Sequence, residues 1–104
     1  MTSVTQDGAI EFRFFRPDVR QVNLAGDFNA WSRTCTPMRP EGEGWWRAIL
    51  QLDAGDYRFR YFADGHWFTD YASNGIEKGK WGTNSIVVVP QTRMNKRSGA
   101  RQVA

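Results

Sequence analysis

Three stretches of this 104-residue chain set flat aromatic rings beside groups that donate and accept hydrogen bonds. Gly26-Asp27-Phe28-Asn29-Ala30-Trp31 is the first. Arg60-Tyr61-Phe62-Ala63-Asp64-Gly65-His66-Trp67 is the second, and Trp81-Gly82-Thr83-Asn84-Ser85 is the third. An indole offers a broad apolar plate, an amide supplies donor and acceptor together, and a guanidinium supplies a fork of donors. That combination suits a ligand with an apolar C–H face and a rim of hydroxyls, which describes a pyranose ring. Two plates set at an angle would favour a curved chain of such rings, whereas a flat strip needs coplanar plates. With few anchors on a shallow surface, the expected affinity is on the order of micromolar to millimolar.

The elements that position these residues read as strands throughout. Ile10, Phe12 and Phe14 alternate with Glu11 and Arg13, the pattern of a strand with one wet face. Val22 and Leu24 repeat it, as do Trp46, Ala48, Leu50 and Leu52. Tyr57, Phe59 and Tyr61 face one way while Arg58, Arg60 and Phe62 face the other, and Ile86 to Val89 form a β-branched run before Pro90. Turn residues separate the runs at 16–18, 40–44, 53–55 and Asp64-Gly65. The Asp-Gly pair predicts a hairpin that makes 58–62 and 67–69 antiparallel neighbours, because a tight turn of this type needs positive φ at both central residues. Residues 70–83 are polar and glycine-rich and read as a functional loop. Six or seven short strands so spaced predict an all-β, two-sheet, immunoglobulin-like sandwich.

Composition narrows the class. The length suits one domain, and five Trp, seven Phe and three Tyr exceed what a core this thin can enclose, so some rings must lie at the surface. Four of the 14 basic residues, Arg93, Lys96, Arg97 and Arg101, follow Pro90, leaving 10 against 11 acidic residues before it. A body so close to neutral has no electrostatic footprint for nucleic acid. The domain is expected over 9–90, with a flexible segment over 1–8 and a disordered basic tail over 91–104. One cysteine, Cys35, and one histidine, His66, exclude an internal disulfide or a zinc cluster built on His and Cys. No cofactor or metal is expected. No apolar stretch nears the ~20 residues of a membrane span, so the expectation is a cytoplasmic protein without membrane contact.

In their order and spacing, the three stretches resemble those of family 48 carbohydrate-binding modules. These are early-set sandwiches found beside the catalytic barrels of isoamylases and branching enzymes, and they include the glycogen-binding domain of the AMP-activated protein kinase β subunit. The resemblance covers about residues 10–89 and implies binding of α-1,4-glucans such as glycogen, starch or maltooligosaccharides, without catalysis. It implies that Trp31 and Trp67 stack on glucose rings and that Arg60 takes the place of the family's usual lysine. Asn84 is implied as the hydroxyl-binding asparagine at a spacing one residue shorter, and Trp81 stands where the kinase domain has a protruding leucine. The alternative is a domain of the same fold that associates with a glycogen-metabolising enzyme without gripping sugar.

Each of these residues also has a structural reading. Trp31 would serve equally as a wedge between two sheets. Trp67 alternates with Phe68, so one of them points inward, and a cation–π pair with Arg60 would account for an outward Trp67 on its own. Trp46 is assigned to the core and Trp45 to surface packing, His66 to solvent, and Asp27 to loop backbone N–H groups. A glycosidase needs two carboxyl groups facing across a cleft at about 5 to 9.5 Å. Asp64 and Asp70 are the only nearby pair, and Asp64 is committed to the turn.

Overall fold

The alternation at Ile10, Phe12 and Phe14 builds the first full strand of a two-sheet sandwich. The computed structural model describes residues 1–80 and 82–91. Trp81 and the tail from residue 92 onward, both subjects of expectations above, lie outside the described residues. One sheet contains β1 (Thr2–Val4), β2 (Ile10–Phe15), β4 (Arg39–Gly42) and β5 (Trp45–Leu50) in the order β1-β2-β5-β4. The other contains β3 (Val22–Gly26), β6 (Gly55–Ala63), β8 (Gly75–Gly79) and β9 (Gly82–Val89) in the order β3-β6-β9-β8, with β7 (His66–Phe68) paired to β6. All these pairings are antiparallel.

The inward residues are those the alternation selects. Ile10, Phe12, Val22, Leu24, Trp46, Phe59, Tyr61 and Val87 are buried in one cluster. Phe12 meets Phe59 edge-on at 5.1 Å, and Phe14 stacks on Tyr61 at 4.2 Å, so aromatic pairs tie the two sheets together. Buried rings with polar atoms find partners. Trp46 Nε1–H donates to Arg16 O at 3.0 Å, and the Tyr61 hydroxyl donates to Asp70 Oδ2 at 2.7 Å. Burial pushes the Tyr61 phenol well above its ordinary titration range, so it acts as a neutral donor.

Three strands lie where the pattern does not announce them. Within the expected flexible 1–8 segment, β1 pairs with β2 from Thr2↔Phe12 to Val4↔Ile10, adding two β-branched residues to an open edge. Within the expected 40–44 turn, β4 runs over Arg39–Gly42 with a bulge between Pro40 and Gly42, and the chain reverses through Glu43 and Gly44 at φ 56° and 89°. Pro40 fits because β4 is an edge strand. The 70–83 segment is only partly loop, since β8 pairs with β9 from Gly75↔Ile86 to Gly79↔Gly82. Backbone pairing sustains β8 without an apolar inner row, and so it leaves no hydrophobic period to read.

Candidate carbohydrate-binding site

Strand β6 supplies the floor. Because Phe59 and Tyr61 are driven inward, Arg58, Arg60 and Phe62 project from the outer face of the second sheet. The hairpin after β6 turns through Asp64 and Gly65 at φ 47° and 86° and sets Trp67 directly opposite Phe62. Their rings lie 4.7 Å apart, and Trp67 is 40% exposed. Phe68 takes the inward position and packs on Phe14 at 5.7 Å. The expected neighbours 58–62 and 67–69 are thus paired over 61–63 and 66–68.

Trp31 reaches the same face from another direction. After β3 the chain makes a 3₁₀ turn over Asp27–Asn29, and then Ala30 and Trp31 both adopt left-handed backbone at φ 56° and 59°. Two consecutive non-glycine residues there cost about 1–3 kcal/mol each, so the surroundings must hold them. Asn29 does much of this: its Oδ1 accepts from Gly26 N at 3.0 Å, while its Nδ2 donates to Leu24 O at 2.8 Å and to Thr36 Oγ1 at 2.9 Å. Trp31 N–H returns to Gly26 O at 2.9 Å. Asp27 was expected to satisfy its own loop. Instead its Oδ1 accepts from Trp31 Nε1 at 3.1 Å and its Oδ2 from the backbone N of Arg58 at 2.9 Å, fastening the indole to β6.

These routes converge on two indoles. The Trp31 and Trp67 ring centroids are 6.4 Å apart, with their planes 63° from one another. The Arg60 guanidinium sits 5.9 Å from Trp31 and 6.0 Å from Trp67, so the cation–π pairing raised as a structural reading is present within the same cluster. Arg60 Nε donates to Asn84 Oδ1 at 2.9 Å. Gly82, at φ 126°, leaves room for that arginine, because a Cβ there would stand 3.0 Å from Arg60 Nη2.

Behind them lies a polar network that no motif announces. Glu77 on β8 pairs in register with Asn84 on β9, and its carboxylate accepts from Arg58 Nε and, at 3.0 Å, from Arg58 Nη2. The Arg58 hydrogen bonds and charge, with a further bond from Asn84, hold the Glu77 carboxyl below its ordinary range. Arg33, also missed, lies over the Phe62 ring at 5.5 Å.

Four of the five expected residues, Trp31, Arg60, Trp67 and Asn84, therefore line one open groove of about 470 Å³; the fifth, Trp81, lies outside the described residues. A groove of about 510 Å³ beside β4 and β5 has no aromatic ring among its lining residues, so it offers no stacking plate. The carboxylates weighed for catalysis have structural duties. Asp64 accepts from the backbone N–H groups of Arg20 and Gln21, and Asp70 is buried against Tyr61. Among the described residues no group of three or more His, Cys, Asp or Glu side chains is arranged to hold a metal ion, and no helix is long and apolar enough to cross a membrane.

Residues 9–95 match the family model described as the glycogen recognition site of AMP-activated protein kinase. The chain is 35% identical over 74 residues to 5'-AMP-activated protein kinase subunit beta-1 of Rattus norvegicus, covering 70% of this chain and 26% of that one. It is 38% identical over 68 residues to the 1,4-alpha-glucan branching enzyme GlgB of Rhodopseudomonas palustris, covering 61% and 10% respectively. Over 53 residues it is 38% identical to the GlgB of Aquifex aeolicus, covering 49% of this chain and 8% of the enzyme. The chain thus spans at most about a quarter of the length of these relatives. An early-set sandwich with two indoles at the expected motif positions, matched by the family model over most of its length, belongs to the family of the AMP-activated protein kinase glycogen recognition site, a non-catalytic carbohydrate-binding module.

Proposed function

We propose that this chain binds α-1,4-glucan, with Trp31 and Trp67 stacking on successive glucose rings and Arg60 and Asn84 hydrogen-bonding to their hydroxyls. The observation that carries the reading is the pair of indoles 6.4 Å apart and inclined by 63°, with a hydrogen-bonded Arg–Asn pair beside them. Inclined plates match a helical polymer, whose successive rings turn, better than a flat one. Support also comes from the relatives, whose names tie them to 1,4-α-glucan or place them in a kinase with a glycogen recognition site. Trp81 extends the proposed site as a third apolar contact.

Affinity electrophoresis tests this. Glycogen or β-cyclodextrin in the gel retards the wild-type protein, and Trp31→Ala combined with Trp67→Ala abolishes the retardation. Each single change raises the maltoheptaose Kd by about tenfold, a factor equivalent to about 1.4 kcal/mol. Unretarded wild-type protein in both gels sinks the proposal. The match to short portions of branching enzymes favours a second role beside an enzyme that acts on the same glucan. Such a partner would co-purify whether or not the two tryptophans are intact.

A further inference from the structure

The first sheet carries a second group of rings, on the face turned away from the groove at Trp31 and Trp67. Phe15 on β2 and Trp45 on β5 are direct cross-strand partners, and because Phe14 and Trp46 turn toward the core, both point outward. Their centroids lie 5.2 Å apart with the planes inclined by 57°, and the Arg13 guanidinium sits 4.6 Å from the Trp45 ring. Two inclined rings beside a guanidinium repeat the constellation of Trp31, Trp67 and Arg60, where the rings are 6.4 Å apart and inclined by 63°.

Each ring here is held in place. Phe15 is 51% exposed, and Gly44 at φ 89° leaves room for it, because a Cβ there would stand 2.9 Å from the Phe15 ring. Tyr71, in the loop after β7, is 74% exposed, yet the backbone on either side of it is pinned. Asp70 N–H donates to Ser85 Oγ at 2.6 Å, Ala72 N–H to Asp70 Oδ1 at 2.9 Å, and Ser73 Oγ to Asp70 O at 2.8 Å. Arg13, Phe15, Trp45 and Tyr71 line one open depression of about 230 Å³. Clustered exposed rings mark an interaction surface, and a turn fixed in advance loses little freedom when a ligand arrives.

The polar groups select a neutral ligand rich in hydroxyls. Arg13 Nε donates to Glu41 Oε1 at 3.2 Å, and Arg13 Nη2 lies 3.1 Å from the same oxygen. A carboxylate so placed repels phosphate and nucleic acid, while the pair still presents donors and acceptors to a sugar rim, and the Tyr71 phenol adds one of each.

We propose that this depression is a second, weaker contact for α-glucan, so that the module engages two chains, one on each outer face of the sandwich. The inference rests on the glucan reading above. Phe15 and Tyr71 serve as plates and Trp45 as the wall between β5 and the sugar. These two rings are smaller than indoles, and Arg13 covers one face of Trp45, so a Kd on the order of millimolar is expected, too weak to retard the protein in a gel by itself. In a branched polymer, a second chain at an effective concentration on the order of millimolar raises the apparent affinity by about twofold to fivefold.

The test is a titration of the whole ¹⁵N-labelled chain with maltoheptaose to about 20 mM, followed by NMR shifts. The Trp45 indole N–H and the Phe15 and Tyr71 amides are expected to move with a Kd about 100-fold weaker than that of the Trp31 and Trp67 signals. In the protein carrying Trp31→Ala and Trp67→Ala the Trp45 shift persists. Phe15→Ser combined with Tyr71→Ser removes it, leaves the maltoheptaose Kd of the first site unchanged, and weakens glycogen retardation by about twofold to fivefold. A Trp45 signal that stays still while Trp31 and Trp67 move overturns this inference and leaves the glucan reading standing. A Trp45 shift that vanishes when Trp31 and Trp67 are replaced overturns it too, by showing that the shift was relayed from the first site. Trp45 shifts produced by raising the protein concentration without sugar also overturn it, by making the face a contact between copies of this chain. Signals that remain still at both sites overturn the glucan reading itself.

Discussion

Replacing Asn29 by alanine separates two roles that a polar residue inside a sugar-binding motif can have. Its amide makes three hydrogen bonds, to Gly26 N, Leu24 O and Thr36 Oγ1, at 2.8–3.0 Å. Asn29 is not among the residues that line the groove. Each such bond is worth about 1 kcal/mol net, and partners left unsatisfied in a half-buried turn add to the loss, so Asn29→Ala should cost about 2–4 kcal/mol. Set against a typical domain stability of about 5–15 kcal/mol, this lowers the urea midpoint by about 2 M or more and the melting temperature by about 10–20 °C. Glycogen retardation, measured at a temperature where the variant remains folded, should weaken and persist, because the turn that presents Trp31 loosens while both indoles remain. Denaturation curves that superimpose on wild type, combined with lost glucan binding, would refute the reasoning and make Asn29 a ligand contact.

Other substitutions probe the same architecture. Asp27→Ala releases both the Trp31 indole and the backbone of β6, so a fluorescence titration should show the maltoheptaose Kd rising about threefold to tenfold, equivalent to about 1 kcal/mol; an unchanged Kd means that Asp27 does not hold the plate. Gly26→Ala forces a Cβ to within 2.5 Å of Arg58 O and 2.9 Å of the Phe28 ring, which should destabilise by about 2 kcal/mol or more in urea unfolding; a variant as stable as wild type contradicts that close approach. Because Arg58 holds the Glu77 carboxyl below its ordinary value of 4.5, the associated stability is complete above about pH 4.5 and fades as acid protonates Glu77 in the folded state. Glu77→Gln should flatten that acid limb, and melting curves against pH that run parallel in both proteins would remove Glu77 as its source.

What could be read from the sequence follows from how strongly each element is dictated locally. The outward placement of Arg58, Arg60 and Phe62 was legible because Tyr57, Phe59 and Tyr61 fix the parity of β6, and a slip of one residue would bury two arginines. The partner of β6 was legible because Asp64-Gly65 encodes its own turn. By contrast β8, with the sequence Gly-Ile-Glu-Lys-Gly, has no alternating apolar row, so neither the strand nor the alignment of Glu77 with Asn84 could be anticipated. Arg33 was missed because it belongs to no motif and gains its place only when the 27–38 loop folds back over Phe62. Asp27 is legible in the sequence as a turn residue, but its partners are not. An aspartate entering a turn most often bonds backbone nearby, whereas here one oxygen crosses to Arg58, 31 residues ahead.

The inclination of the two indoles is set by two separate reversals of the chain around β6. Trp31 follows a turn in which two non-glycine residues are held in left-handed backbone, and Trp67 follows a hairpin whose central pair is also left-handed. Each turn is anchored to β6, one through Asp27 to Arg58 N and the other by direct pairing of β7. The strand therefore acts as a common reference against which two separate reversals aim their rings. A change in either turn would alter the angle and would also be felt in the core, because Phe28 in the first turn packs on Phe12 and Phe68 beside Trp67 packs on Phe14, so curvature selectivity is coupled to fold stability. The charged groups that line the groove, Asp27, Arg33, Arg58, Arg60 and Lys80, come instead from β6 and the loops and lie outside the buried cluster, so a change of charge there removes no buried ring.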